Sequence, residues 1–191
     1  MIDLDQGISL DRRDILKMGL AGFVATATPL ILASSAQPAY AARNTSWRTS
    51  FHNAHTGESF NGVYRVGNKY LPDAFERISY VLRDFRTGEV FPMDPRVIDI
   101  VTAVQQKAGQ SGPVEILSGY RSPKTNAGLR KASSGVAKNS FHMYGQAIDL
   151  RIPGYKTSGV RNIALGVKAG GVGYYPKSNF VHVDTGRVRS W

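Results

Sequence analysis

The stretch SFHMYGQAIDL, residues 140–150, leads from a histidine-bearing loop into a segment with strand character. Apolar and polar residues alternate in QAIDLRI (146–152), which predicts a β-strand with its aliphatic side chains on one face and Asp149 on the other. Gly145 lets the chain turn sharply just before this strand. The pattern therefore predicts that His142 folds back toward Asp149.

A second strand, FVHVD (180–184), repeats this arrangement, with His182 and Asp184 on its polar face. If the two strands are neighbours, His182 joins His142 and Asp149 at one point. Two imidazoles and one carboxylate form a three-ligand Zn²⁺ site with the fourth position open. An open position suits hydrolysis, because the metal lowers the pKa of bound water and polarises a carbonyl. On spacing alone, hydrogen-bonded core histidines and a capping aspartate remain the alternative.

The composition restricts which residues can bind a metal. The chain has 191 residues, no cysteine and four histidines. Disulfides and thiolate ligands are therefore excluded, and a metal must be held by His, Asp or Glu. The other two histidines, His52 and His55, fall in a predicted hairpin, where we expect structural or rim positions.

Residues 42–191 predict a single α+β domain: a small antiparallel sheet of about four strands from the second half of the chain, flanked by helices. A Thr-Gly turn at 56–57 lies between two alternating segments and predicts a hairpin. The other predicted elements are helices at 72–82, from Asp94 to Gly109, at 123–132 and at 160–168, and strands at 114–120, 146–152, in VGYY and in FVHVD.

Residues 1–41 are typical of a secretory signal peptide. Paired Arg12 and Arg13 precede an apolar run of about fifteen residues, which is short for a membrane span, and small residues follow up to Ala41. The arginine pair favours the twin-arginine (Tat) type, which exports folded proteins. We therefore expect Tat-dependent export to the periplasm or cell envelope, with no membrane span after cleavage; an uncleaved membrane anchor is the alternative.

The charge balance is strongly basic. The formal net charge is +10, and removal of residues 1–41, which hold three basic and four acidic residues, raises it to +11. Such a field attracts polyanions. For an exported protein these are anionic cell-wall polymers or membrane surfaces, whereas export argues against nucleic acid. The charge could also serve solubility alone.

Several motifs together resemble a known family. Ser140-x-His142-x-x-Gly145-x-Ala147-x-Asp149, with a later His182, is similar to the zinc peptidases of the D-Ala-D-Ala carboxypeptidase and lysostaphin group. The segments HTGE, LRDFRTGEV, SGYRSPKTN, GVGYYPKSNFVHVDTG and the closing RSW resemble the YcbK-like branch, the murein endopeptidase K type. The resemblance runs from about residue 47 to the C-terminus. It implies a hedgehog or D-Ala-D-Ala peptidase-like fold.

The resemblance also implies roles for individual residues. His142, Asp149 and His182 would be the zinc ligands. Arg121 matches an arginine near the metal, which can hold a substrate carboxylate or the developing oxyanion; a structural salt bridge is the alternative. Ser140 would orient the loop or a ligand.

One position departs from the resemblance. Many members carry a glutamate general base three residues before the last histidine ligand, where this chain has Asn179. Asp184 is the nearest replacement and would act as the base. Its alternative role is to fix the ring of a neighbouring ligand.

The function implied is an exported zinc metallopeptidase that cleaves peptide cross-links of peptidoglycan during cell wall remodelling. Two alternatives remain open. One is a carboxypeptidase that trims terminal D-Ala with the same site. The other is a zinc-stabilised wall-binding module without catalysis, which the asparagine at the base position favours.

Overall fold

The computed structural model describes residues 45–133 and 135–191. The predicted signal peptide, residues 1–41, lies outside the described residues. Within the described part, no helix combines the length and the apolar character needed to cross a bilayer.

The described residues form eight strands and four helices, and most predicted elements are confirmed. The strands are β1 (Ser46–Asn53), β2 (Ser59–Val66), β3 (Lys69–Tyr70), β4 (Val114–Ser118), β5 (Ala147–Arg151), β6 (Gly171–Tyr175), β7 (Phe180–Asp184) and β8 (Arg189–Ser190). The helices are α1 (Pro72–Val81), α2 (Pro95–Lys107), α3 (Pro123–Ala132) and α4 (Thr157–Val167), and a short 3₁₀ turn spans Phe141–Tyr144.

Local signals explain where the helices begin. Helices α1, α2 and α3 each start with a proline, whose fixed φ and missing N–H suit the first helical position. The Asp94 carboxylate accepts a hydrogen bond from the N–H of Arg96, and the Ser122 hydroxyl accepts one from the N–H of Thr125. These caps satisfy N–H groups that the helices leave free.

The sheet is larger than predicted. It has eight strands in the order β3-β2-β1-β4-β5-β7-β6-β8. Most neighbours are antiparallel, but β1 pairs with β4 in parallel, and so does β6 with β8. The prediction of a small antiparallel sheet was therefore wrong in extent and in uniformity. The alternation in a hairpin sequence does not show which further strand the hairpin pairs with. The two-residue strands β3 and β8 are too short to show alternation.

The two faces of the central strands differ as the alternation predicts. The aliphatic side chains of β5 and β7 are fully buried and belong to one hydrophobic core with residues of α2 and α4. Burial of this face orients the two strands and leaves their polar side chains on the other face. The core residues that these strands and helices contribute are Ile148, Leu150, Val181, Val183, Val97, Val101 and Val160.

Candidate metal centre and active-site cleft

The register of three strands brings the polar residues together. Asp149 on β5 lies opposite His182 on β7, and His182 lies opposite Gly173 on β6. Directly opposed residues of an antiparallel pair are close enough for their side chains to interact. The predicted adjacency of the two strands is therefore confirmed.

The 3₁₀ turn before β5 brings His142 to the same place. It ends at Gly145, whose φ of +64° is left-handed. A Cβ at Gly145 would also lie 2.3 Å from the carbonyl oxygen of Pro92. Only glycine meets both requirements, so Gly145 determines how the loop returns His142 to the sheet.

The candidate donor atoms form a small triangle. His142 Nε2 lies 3.2 Å from both Asp149 Oδ1 and His182 Nδ1, and the last two atoms are 2.8 Å apart. A tetrahedral zinc with bonds of about 2.0–2.1 Å places its ligand atoms about 3.3 Å apart. These three residues form the metal-ligand group found among the described residues, and their spacing fits one ion.

Hydrogen bonds on the far side of each ring fix the donor nitrogens. His142 Nδ1 donates to the carbonyl oxygen of Gly119 at 2.7 Å, and His182 Nε2 donates to Asp184 Oδ2 at 3.1 Å. Each ring therefore turns its other nitrogen toward the triangle. Such partners are what hold metal-binding imidazoles in one tautomer and orientation.

Asp184 is completely buried and is held from several sides. Its oxygens accept hydrogen bonds from the N–H groups of Gly171 and Gly186 and from both terminal nitrogens of Arg189, at 2.9 and 2.7 Å. Its contact with His182 is to Nε2, whereas the triangle uses Nδ1 of that ring. Asp184 thus lies behind the candidate ligand.

The electrostatics of the cluster keep its carboxylates ionised. Burial acts to raise the pKa of Asp149, but the charges and hydrogen bonds of His142 and His182 outweigh it and hold this pKa well below its usual range. Burial lowers the pKa of His142. For His182, burial is outweighed by hydrogen bonds to both carboxylates, which raise its pKa to about 9. A cation bound here would displace protons from this set.

Arg121 lies beside the cluster. Its terminal nitrogen is 3.6 Å from Asp149 Oδ2, and its backbone N–H donates to the carbonyl oxygen of His142. Burial lowers the pKa of the guanidinium, and Asp149 partly opposes that effect. The Nε–H is buried and has no partner among the described residues. Arg121 therefore combines a loose ion pair with an unused donor.

Residues outside the cluster have other partners. Asn179 occupies the turn between β6 and β7 with a left-handed φ of +51°, which asparagine tolerates better than most residues. Its side chain bonds the Thr157 hydroxyl. His52 bonds the Ser59 hydroxyl, and His55 stacks on Phe85. Each of these side chains is thus engaged away from the cluster.

An open cleft of about 300 Å³ lies above the triangle. Besides the predicted residues, including Ser140, it is lined by the aromatic residues Tyr175, Phe180 and Trp191, for which the sequence predicts no role. Tyr175 lies on the same face of β6 as Gly171 and Gly173, and the strand order shows that this face borders the site.

A mixed α+β domain with two imidazoles and a carboxylate converging in an open cleft is the arrangement found in metal-dependent hydrolases. A family model described as peptidoglycan L,D-endopeptidase MepK, within the M15 peptidases, matches residues 41–191. The chain belongs to this family of peptidases.

Two relatives illustrate the similarity. The chain is 39% identical over 183 residues to the peptidoglycan L,D-endopeptidase MepK of Escherichia coli (strain K12), covering 95% of this chain and 97% of that one. It is 43% identical over 143 residues to the probable peptidoglycan L,D-endopeptidase MepK of Haemophilus influenzae, covering 74% and 77%. The resemblance noted from the motifs is confirmed.

Proposed function

We propose that this protein is an exported, zinc-dependent endopeptidase that cleaves peptide cross-links of peptidoglycan and so remodels the cell wall. The peptidase class and the peptidoglycan substrate are supported by family membership and by 39% identity over nearly the whole chain. The convergence of His142, Asp149 and His182 on one point is the observation that supports metal chemistry.

The three residues of the triangle would hold Zn²⁺, in keeping with the family's usual metal. Bound there, zinc would act as a Lewis acid on the scissile carbonyl and activate water. Asp149 contributes a negative charge, and the two imidazoles are already turned by the Gly119 carbonyl and Asp184. The site therefore needs little rearrangement to bind the ion.

Arg121 is proposed to bind a carboxylate of the peptide stem or the developing oxyanion. Its contact with Asp149 is longer than a hydrogen bond, and its Nε–H is unpartnered among the described residues. A planar guanidinium that lines the cleft suits bidentate binding of a carboxylate.

Replacing Arg121 with lysine keeps the charge but removes the fork. We expect kcat/KM on cross-linked muropeptides to fall about 100-fold, measured by chromatography of the products. Arg130→Lys, on the exposed part of α3, is the matched control and should retain wild-type kinetics. Wild-type kcat/KM for Arg121→Lys would leave Arg121 as a structural ion pair.

The geometry around Asp184 supports its orienting role better than the general-base role. Its carboxylate touches the ring nitrogen of His182 that faces away from the triangle and is enclosed by Arg189 and two backbone N–H groups. A group buried behind a ligand reaches the metal through that ligand.

Asp184→Asn separates these two roles. If Asp184 orients His182, the zinc dissociation constant should rise about 10- to 100-fold, measured by competition with a chromophoric chelator. If it is the base, zinc affinity should stay at the wild-type value while kcat alone falls. Asp73→Asn, in the exposed first turn of α1, is the control for loss of a carboxylate.

The proposal also includes the kind of bond that is cleaved, the fold of the domain and the location of the protein. The relatives' names support cleavage of bonds of L,D configuration. The mixed sheet with its His-Asp-His group is consistent with a hedgehog or D-Ala-D-Ala peptidase-like fold. The family match begins at residue 41, which is consistent with a signal peptide at 1–41. Paired Arg12 and Arg13 are the basis for proposing Tat export to the periplasm or cell envelope. The basic surface would hold the enzyme on anionic wall polymers.

Digestion of purified sacculi with residues 42–191 tests the function. We expect monomeric muropeptides to appear from cross-linked dimers, and chelation of zinc to stop their release. Loss of terminal D-Ala without loss of cross-links would indicate a carboxypeptidase instead. Tight binding without products would indicate a wall-binding module.

A further inference from the structure

Two aromatic residues that have no role in the proposal above form one wall of the cleft. The indole Nε1 of Trp191 lies 2.9 Å from the Tyr175 hydroxyl, and the indole ring lies 5.4 Å from the His182 ring. The Tyr175 ring stacks on Phe180 with centroids 4.5 Å apart. The phenol is therefore fixed from two sides at the edge of the site.

Gly173 explains why both rings can lie so close to His182. It is the β6 residue opposite His182, and a Cβ there would lie 2.8 Å from two indole carbons of Trp191 and 2.9 Å from a ring carbon of Tyr175. The Trp191 backbone is also paired with β6, since its N–H donates to Val172 and its carbonyl accepts from Tyr174. The sheet thus holds the aromatic wall in place.

The hydrogen bond between the two rings has a defined direction. An indole N–H can only donate, whereas a phenolic oxygen can accept and also donate its own proton. Tyr175 therefore accepts from Trp191, and the Tyr175 O–H has no acceptor among the described residues. Accepting one hydrogen bond also strengthens a hydroxyl as a donor to the next group.

We propose that Tyr175 is a catalytic residue that donates a hydrogen bond to the oxygen of the scissile carbonyl as negative charge develops on it, and that Trp191 is a positioning residue that aims this hydroxyl. The proposal rests on the peptidase function proposed above and assigns a new donor within that cleft. Tyr175 and Arg121 both line the cleft. Because Tyr175 would bind the carbonyl oxygen, Arg121 is left free for a carboxylate of the peptide stem.

A donor aimed at developing charge affects kcat more than substrate binding. Tyr175→Phe should therefore lower kcat about 100-fold on a purified cross-linked muropeptide dimer, with KM within about twofold of wild type. Its zinc content and thermal unfolding should match those of the wild type. Tyr174→Phe, the neighbouring residue on the opposite face of β6, is the matched control and should keep wild-type kcat.

The role of Trp191 is tested by a double-mutant cycle. Trp191→Phe keeps an aromatic ring but removes the N–H, and we expect kcat to fall about tenfold, less than for Tyr175→Phe. In the Tyr175→Phe background, adding Trp191→Phe should not lower kcat further, because both changes act through the Tyr175 hydroxyl. Independent, multiplicative losses in the double variant would overturn the positioning role.

The outcomes distinguish this proposal from the function on which it rests. If the wild-type protein releases no monomers from the dimer, the peptidase function fails. If it does and Tyr175→Phe keeps full kcat, or raises only KM, the donor role of Tyr175 is wrong. Loss of bound zinc from Tyr175→Phe would assign its effect to the metal site and would likewise overturn the proposal.

Discussion

Replacing His142 with alanine is expected to abolish zinc binding and to reduce release of muropeptides by more than about 10³-fold. His142 is 2% exposed, and its Nε2 is one corner of the donor triangle. Alanine removes that corner, and the remaining two donors cannot hold a tetrahedral ion tightly. Zinc per chain, measured by atomic emission after dialysis, should fall from about one to none.

His52→Ala is the matched control for this change. His52 lies on the first hairpin, where its ring bonds the Ser59 hydroxyl, so zinc content and product release should stay at wild-type levels. Retention of both metal and activity in His142→Ala would show that the ligand assignment is wrong.

Gly170→Ala is expected to destabilise the fold strongly. A Cβ at this position would lie 1.8 Å from the backbone carbonyl oxygen of Asp184, so β6 and β7 must separate. Overpacking of this kind costs about 3 kcal/mol, which corresponds to a melting temperature lower by about 6–12 °C for a domain of this size. Zinc affinity should fall too, because β7 also carries His182.

Gly166→Ala provides the control, because a Cβ there meets nothing within 4 Å at the exposed end of α4. Its free energy of unfolding should be unchanged or higher by up to about 1 kcal/mol. Thermal unfolding of the zinc-loaded and chelated forms of both variants gives the comparison. A melting temperature for Gly170→Ala equal to that of the wild type would contradict the close approach of the two strands.

The side-chain faces of the site were predictable because alternation along a strand is a local property. QAIDLRI and FVHVD each separate aliphatic from polar residues, so Asp149 and His182 were expected on polar faces. Gly145 marked the turn that returns His142. The register that sets Asp149 opposite His182 depends on packing of the other face of these strands against α2 and α4. No local pattern in the sequence predicts this register.

Other features depend on contacts between distant segments. The parallel pairing of β1 with β4 brings the first hairpin into the same sheet, although two helices intervene. The surroundings of Asp184 depend on Arg189, which reaches it from the short strand β8. Asn179 was placed by its spacing from His182, but the structure shows a turn residue bonded to Thr157. None of these contacts produces a periodic pattern in the sequence from which it could be predicted.

The donor triangle also bears on how the domain folds. His142 and Asp149 are seven residues apart, but His182 is 33 residues beyond Asp149 and 40 beyond His142. Contacts across such separations close long loops. They form only after other native interactions have offset the entropic cost of loop closure. Zn²⁺ bound at this triangle would therefore not nucleate the fold, as the metal of a zinc finger does. It would bind to a sheet whose strand order is already established.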